Sequence, residues 1–440
     1  MTACNTSKIE QNLPPTPKTW LGDQKSRLRF SDKSKLKEWW KQFYDQDLNW
    51  LIEKTLKESP DIHQAAARIE EARGLQKTAF GDLFPTFTGG ADASRGRQLF
   101  LAPITGNTYN ATFDASYEID LFDKNRENST AANAEMLATV KDYDWTKLSI
   151  IAEVIRNYIY MRAAEKQIIL AQKNLEIQKE TLALVERQHK AGGSSEFDIE
   201  RTSLQVNQSK AHIADYMRQK EVFMLSLTVL TGLTGESIKA HLRDGKEIPG
   251  ISLEPIADAP ALVLARRPDI IAENLRFTQA TSLKNSQVAA IFPTLKLSSL
   301  FGLSRTVLVN SSTVWSIGGN AAVSLLDFGR IQGQIDAAAA REVAAYQAWR
   351  KAILQGIQDV ETALINTARF QEQKISLDRA KINATKAVKL SQIRYRQGDN
   401  SLLDVLDAQR QLIEADKTLI EAESNYVISI VALYKSLGQY

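Results

Sequence analysis

Three acidic side chains stand where the chain turns into a helix, and their spacing suits chemistry better than any other set. Asp198 follows Ser195 by three residues, and Asp404 follows Ser401 by three. That is capping-box spacing, in which the serine and the acid satisfy free backbone N–H groups at a helix start. An acid in the first turn is also favoured by the helix dipole. Asp407 lies three residues beyond Asp404, on the same side of the helix, and capping does not explain it. A carboxylate there is left for an electrostatic or binding role other than capping. Both readings stay open for Asp198 and Asp404. The four histidines, His63, His189, His212 and His241, are scattered without metal-ligand spacing. No nucleophile motif, phosphate loop or paired catalytic constellation accompanies them. The sequence therefore speaks against an enzyme and predicts neither metal nor cofactor.

The single cysteine, Cys4, can form no internal disulfide and no metal cluster. It follows Thr2 and Ala3, small residues of the kind that precede the acylated cysteine of a bacterial lipoprotein signal. The apolar stretch that should come before it is missing, so the signal is expected to have been cleaved off, with Met1 a start codon or scar. An incidental N-terminal cysteine is the alternative. With Cys4 lipidated, Asn5 to Lys18 read as a polar tether containing Pro14, Pro15 and Pro17.

Composition sets wide bounds. Of 440 residues, 43% are hydrophobic and 24% charged, enough for a sizeable core. Net charge is +3 from 55 basic and 52 acidic residues, with no basic block, so nucleic acid is a poor partner. No apolar run approaches the ~20 residues of a spanning helix. That test says nothing of spans built from strands.

The elements that must position these residues occur twice. Ser59-Pro60-Asp61-Ile62 returns about 208 residues later as Arg267-Pro268-Asp269-Ile270. Phe84-Pro85-Thr86 returns as Phe292-Pro293-Thr294, and Gly192, Ser195 and Asp198 return as Gly398, Ser401 and Asp404. The chain is thus one duplicated unit. It divides into a tether and belt segment (1–45), a first repeat (46–232), a linker (233–258) and a second repeat (259–440).

Each repeat carries a pair of strands. Tyr109, Ala111, Phe113, Ala115, Tyr117, Ile119 and Leu121 alternate with Asn110, Thr112, Asp114, Ser116, Glu118 and Asp120. This period of two gives one apolar face and one wet face. Trp315, Ile317, Ala321, Val323 and Leu325 form the second, weaker example. Further strands are predicted near Phe87 to Ser94 and Leu295 to Ser304. A half-buried sheet on a core and a membrane barrel both fit the pattern. For a barrel, about ten residues per strand suffice, but about eight strands are needed, so several chains must contribute.

A proline-free stretch follows each strand pair, from about Asn128 to Lys190 and from about Ile331 to Gln397. Leu148, Ile151, Ile155 and Tyr158 show the helical period, as do Ile353, Ile357, Val360 and Leu364. Each helix is expected to run roughly 100 Å and to turn back at a glycine, Gly192-Gly193 or Gly398. The second returning helix has a heptad, Val405, Leu412, Leu419, Tyr426 and Leu433. Ala408, Ala415, Ala422, Ser429 and Ser436 follow each by three. Large and small seam positions in alternation suit a tightly packed antiparallel hairpin. Shorter helices are predicted from Pro60 and Pro268, with proline at the first helical position.

Duplication, strand pairs, helix hairpins, Ala265-Arg266-Arg267-Pro268-Asp269-Ile270 and Asp404-Val405-Leu406-Asp407-Ala408 together resemble the TolC-like outer-membrane efflux proteins. The likeness is to the lipoprotein branch serving resistance-nodulation-division pumps, and it covers nearly the whole chain. It implies a mainly α fold with membrane β. Four strands from each of three chains would close a barrel of about twelve strands, and the helical hairpins would form an α-barrel through the periplasm. It implies a homotrimer in the bacterial outer membrane, anchored by lipid on Cys4. This would be a passive efflux duct reached by a periplasmic adaptor and powered by an inner-membrane pump. By position, Asp404 and Asp407 match paired pore acids at the narrow inner end, and Tyr395 matches a tyrosine linked to an acid, here Asp198. Asn400 stands where one branch carries arginine, so an arginine lock between protomers is not expected. A duct for type I protein secretion shares the implied fold. A soluble coiled-coil scaffold is the third reading, against which the aromatic strand face argues.

Overall fold

The computed structural model describes residues 17, 19–20, 38–99, 103–245, 247–251, 260–306 and 309–438. Cys4 lies outside them, as do most of the tether and belt segment and residues 246 and 252–258 of the linker. Among the described residues the order is α1 (Gln46–Glu58), α2 (Pro60–Gly81), β1 (Thr86–Leu99), β2 (Pro103–Ile119), α3 (Lys124–Lys190), α4 (Glu196–Thr231) and α5 (Gly235–His241). Then follow α6 (Pro260–Arg266), α7 (Pro268–Ala289), β3 (Thr294–Arg305), β4 (Ser312–Ala322), α8 (Arg330–Gln397) and α9 (Leu402–Ser436). A short 3-10 helix, Trp39–Phe43, precedes α1. The duplication is visible in the lengths. α2 and α7 have 22 residues each, α3 and α8 have 67 and 68, and α4 and α9 have 36 and 35. Two compact units result, and each draws on both repeats.

The first unit holds residues 67–142 and 271–352. Its four strands form one antiparallel sheet in the order β1-β2-β3-β4. Among the described residues, β1 and β4 each leave one edge unpaired. The register joins Gly89, Phe113, Phe301 and Trp315 in one cross-strand row. Phe113, Phe301 and Trp315 are 73%, 61% and 72% exposed. The apolar face therefore rests on no core of its own chain, which removes the half-buried reading. The opposite face is polar and cross-linked. Asn110 donates to Asp92 at 3.1 Å and accepts from Ser304 at 2.7 Å. Gly302 sits on this face, where a Cβ would come within 2.3 Å of the Ala111 carbonyl oxygen. The strand pair cannot approach this closely with any other residue there.

The strands stop earlier than alternation alone predicts. β2 ends at Ile119, and β4 ends at Ala322, before Val323 and Leu325. At β2 the cause is an aspartate that leaves the ladder to serve the next helix, and the turn after β4 carries its counterpart. Asp120 accepts from the backbone N–H groups of Asn125 and Arg126 at 3.0 and 2.7 Å. Asp327 accepts from those of Gly329 and Ile331 at 3.1 and 2.8 Å. Both satisfy donors that a helix start leaves free.

The second unit holds residues 14–66, 143–270 and 353–440. Its main core packs Leu48, Leu51 and Ile52 of α1 against Ile151, Ile155, Tyr158 and Ile159 of α3, with Leu227, Ile238, Ile430 and Val431. Trp39 stacks on Tyr434 at 4.8 Å between ring centres, fixing the 3-10 segment to α9. Two buried arginines tie distant segments together. Arg162 is fully buried and donates to Asp47 (3.0 Å), Glu165 (2.6 Å) and the Arg243 carbonyl (2.8 Å). Beside it the Tyr158 hydroxyl donates to Asp45 at 2.7 Å, and burial drives the Tyr158 pKa far up. Arg267, 1% exposed, donates to Asp269 (3.0 and 2.8 Å) and Asp359 (2.8 Å), and to the carbonyls of Gly356 and Ser436. Its guanidinium also lies 5.0 Å from the centre of the Trp145 ring. The second Pro-Asp-Ile segment thus marks where α6 and α7 join the interior of α8 and the end of α9.

Candidate functional site

The two glycine turns reverse the chain in the same way. Gly192 and Gly398 have φ of 79° and 83°, the left-handed region that glycine enters without strain. Gly193 N–H then returns to the Gln188 carbonyl at 2.8 Å, and Asp399 N–H to that of Arg394 at 2.9 Å. Serine caps the helix that follows each turn. Ser195 and Ser401 accept from Asp198 and Asp404 N–H at 3.2 and 3.3 Å, and both boxes are complete. A small apolar cluster of Val185, Leu402 and Leu406, with Ile199 and Tyr395 against it, packs the ends of both hairpins together. Gln205 crosses between the copies to the Leu406 carbonyl at 3.3 Å, and Gln409 crosses to Thr181 at 2.9 Å.

The four side chains singled out from sequence all lie at this tip, with different surroundings. Asp198 accepts from the Ser195 hydroxyl at 2.8 Å, the Ser195 N–H at 3.2 Å and the Ser194 hydroxyl at 3.2 Å. The Ser195 hydroxyl chiefly holds its carboxyl below the usual aspartate value. Asp404 accepts from Ser401 N–H and hydroxyl at 3.0 and 2.9 Å. Asp407 is outside the capping box and partly exposed. It accepts from Arg410 at 2.6 Å and Gln411 at 2.8 Å. An ion pair this exposed contributes about 0–1 kcal/mol, so the arginine can swing away and leave the carboxylate free.

Tyr395 corrects the expected link. Its hydroxyl donates to Gln188 Oε1 at 2.5 Å, not to Asp198, which the capping serines hold through Oδ2. Asp198 is still close enough to act on it. Burial first, and the Asp198 charge second, raise the Tyr395 pKa above the ordinary tyrosine value. Gln188 had no sequence signal, since nothing in its spacing marks it as a partner across the hairpins. Arg410 and Gln411 were readable, three and four residues after Asp407 on one helix face.

Among the described residues no three His, Cys, Asp or Glu side chains are grouped to hold a metal ion, and no helix is long and apolar enough to cross a membrane. Comparison with known proteins is direct. Residues 51–233 and 259–439 match the outer membrane efflux protein family. The break between the matches falls between α4 and α6 and contains α5. The chain is 29% identical over 418 residues to the pyoverdine export outer membrane protein OpmQ of Pseudomonas putida, covering 91% of this chain and 87% of that one. It is 28% identical to the toluene efflux pump outer membrane protein TtgI of Pseudomonas putida, covering 96% and 91%. The solved outer-membrane channel OprN superposes with a TM-score of 0.89 at 29% identity, over 97% of this chain and 98% of that one.

Proposed function

The chain belongs to the outer membrane efflux protein family, and from that premise we propose that three copies close into one passive exit duct of a tripartite efflux pump. It is an outer-membrane channel protein whose helices extend into the periplasm. The observation that carries the proposal is the sheet. It is an open four-stranded sheet, unpaired along both edges, with a bare apolar face on one side and a hydrogen-bonded polar face on the other. Free edges are a liability unless another chain covers them. Three such sheets make about twelve strands, within the range of membrane barrels, with the aromatic face toward lipid and the polar face toward the lumen.

In this reading the hairpin tips form the inner, narrow end, where a periplasmic adaptor and an inner-membrane resistance-nodulation-division pump engage. Threefold symmetry brings three copies of Asp407, with Asp404 behind, around one axis as an acidic ring. The Tyr395–Gln188 bond restrains the hairpins in the closed state. The cargo is a small molecule of the kind for which the relatives are named, pyoverdine or toluene, and the pump chooses it. Cys4 carries acyl chains that add a second hold on the membrane.

Light scattering on the detergent-extracted protein tests the central step. A protein mass of three chains is expected. A stable folded monomer with intact strands would sink the barrel.

A further inference from the structure

The charged residues of the sheet are sorted by face and by height. On the polar face stand Asp92, Asp114, Glu118 and Lys296, at alternating register with the aromatic row. On the apolar face the charged residues are Arg95, Arg97 and Arg305, and no acid joins them. The register fixes this. Arg95 pairs with Asn107, Arg97 with Thr105 and Arg305 with Tyr109, all in phase with Ala111, Phe113 and Leu303. All three arginines are exposed. They lie at the hairpin ends of β1 and β3, the ends away from α2 and α7. Tyr109, half exposed, stands among them and accepts from Asn107 at 3.4 Å.

Height decides what these arginines meet. The apolar face begins near the helices at the Leu295–Ile119 pair. Arg305 is about ten positions further along β3. At ~3.4 Å per residue and ~40° of tilt, that is about 26 Å along the membrane normal. The apolar band of a membrane barrel is about 25 Å tall. The guanidinium groups therefore reach the outer headgroup layer, facing lipid rather than lumen. A planar guanidinium with several N–H donors matches phosphate oxygens in pairs.

We propose that Arg95, Arg97 and Arg305 form a collar that binds the phosphate groups of outer-leaflet lipid. This rests on the reading of the aromatic face as lipid-facing. Charge complementarity carries it: the face is bare of acid and meets headgroups only where the arginines begin. Each arginine near an anionic surface strengthens binding about fivefold.

Native mass spectrometry of the full-length, delipidated protein in neutral detergent tests the collar. The probes are lipid A, which bears two phosphate monoesters, and its dephosphorylated form. The wild-type protein should retain lipid A, and retain the dephosphorylated form at least about fivefold more weakly. Arg305→Gln alone should weaken lipid A retention by a similar factor, and Arg95→Gln/Arg97→Gln/Arg305→Gln further still. Equal retention of the two lipids by the wild type, a comparison that needs no variant, overturns the proposal. So does displacement of lipid A by inorganic phosphate at equal concentration, which marks a free-anion site instead of a lipid surface. The same spectra report the mass of the assembly. A monomer refutes the duct, whereas a trimer indifferent to lipid phosphate refutes only the collar.

Discussion

Replacing Tyr395 with phenylalanine removes one hydroxyl and leaves the ring against Val185, Leu402 and Leu406. The bond lost is the 2.5 Å contact to Gln188. A neutral hydrogen bond nets about 0.5–1.5 kcal/mol, and Gln188 can hydrate once released. Three protomers that open together lose about 1.5–4.5 kcal/mol of closed-state preference, which shifts the open-to-closed ratio about 10- to 2,000-fold. Single-channel recording in planar bilayers should show a corresponding rise in open probability. Gln188→Leu should match it, and the double variant should add little, because both remove one interaction. Asp198→Asn should act weakly, since its carboxylate serves the Ser195 cap. The pH dependence has a definite sign. With the Tyr395 pKa raised, the bond is fully present below the ordinary value of 10.0 and is lost as pH climbs through the raised value. Open probability should therefore be flat from neutral to about pH 10 and rise above it. Unchanged conductance in Tyr395→Phe beside a large rise in Asp198→Asn would falsify the lock and return it to the acid.

Asp407→Asn should lower cation preference and weaken block by trivalent cations in the same bilayers, with little change in stability. If both persist, Asp407 is only a solvated partner of Arg410. Arg267→Met leaves two buried carbonyls without their donor and two partly exposed carboxylates to water, and should cost about 1–3 kcal/mol, read as faster hydrogen exchange in the last turn of α9. A change under about 0.5 kcal/mol at that turn contradicts its clamping role. Gly302→Val drives a side chain into the Ala111 carbonyl and should abolish heat-resistant assembly on gels, while normal assembly would show that β2 and β3 can part. Expressed with a lipoprotein signal, the mature N-terminal peptide should carry acyl chains on Cys4 by mass spectrometry, and Cys4→Ser should lose them without losing barrel insertion. An unmodified Cys4 thiol ends the anchor reading.

Periodicity made the large elements legible. Nothing between Asn128 and Lys190 breaks a helix, and α3 runs Lys124–Lys190. Pro60 and Pro268 do open helices. Ser195 and Ser401 do cap the returning ones, because serine and acid at that spacing satisfy the same free donors in any context. What sequence hid was decided across the fold. Asp120 keeps the alternation yet leaves the strand, since the helix start offers it two N–H donors. Arg162 reads as one charge among many on α3, and its burial follows from Asp47 and Arg243 arriving from distant segments. Tyr395 was found by resemblance, but its partner Gln188 lies 207 residues away and is set only by how the two tips pack together.

The unpaired edges of β1 and β4 carry a genetic consequence. In a ring closed by copies of one chain, β4 of each protomer must meet β1 of the next, so the two surfaces differ and every joint is shared. A damaged edge then spoils its neighbour as well as itself. If a cell makes intact and edge-defective chains in equal amounts and they mix freely, only about an eighth of the rings contain three intact copies. An edge mutation in this protein should behave as dominant, silencing far more channels than its share of the chains.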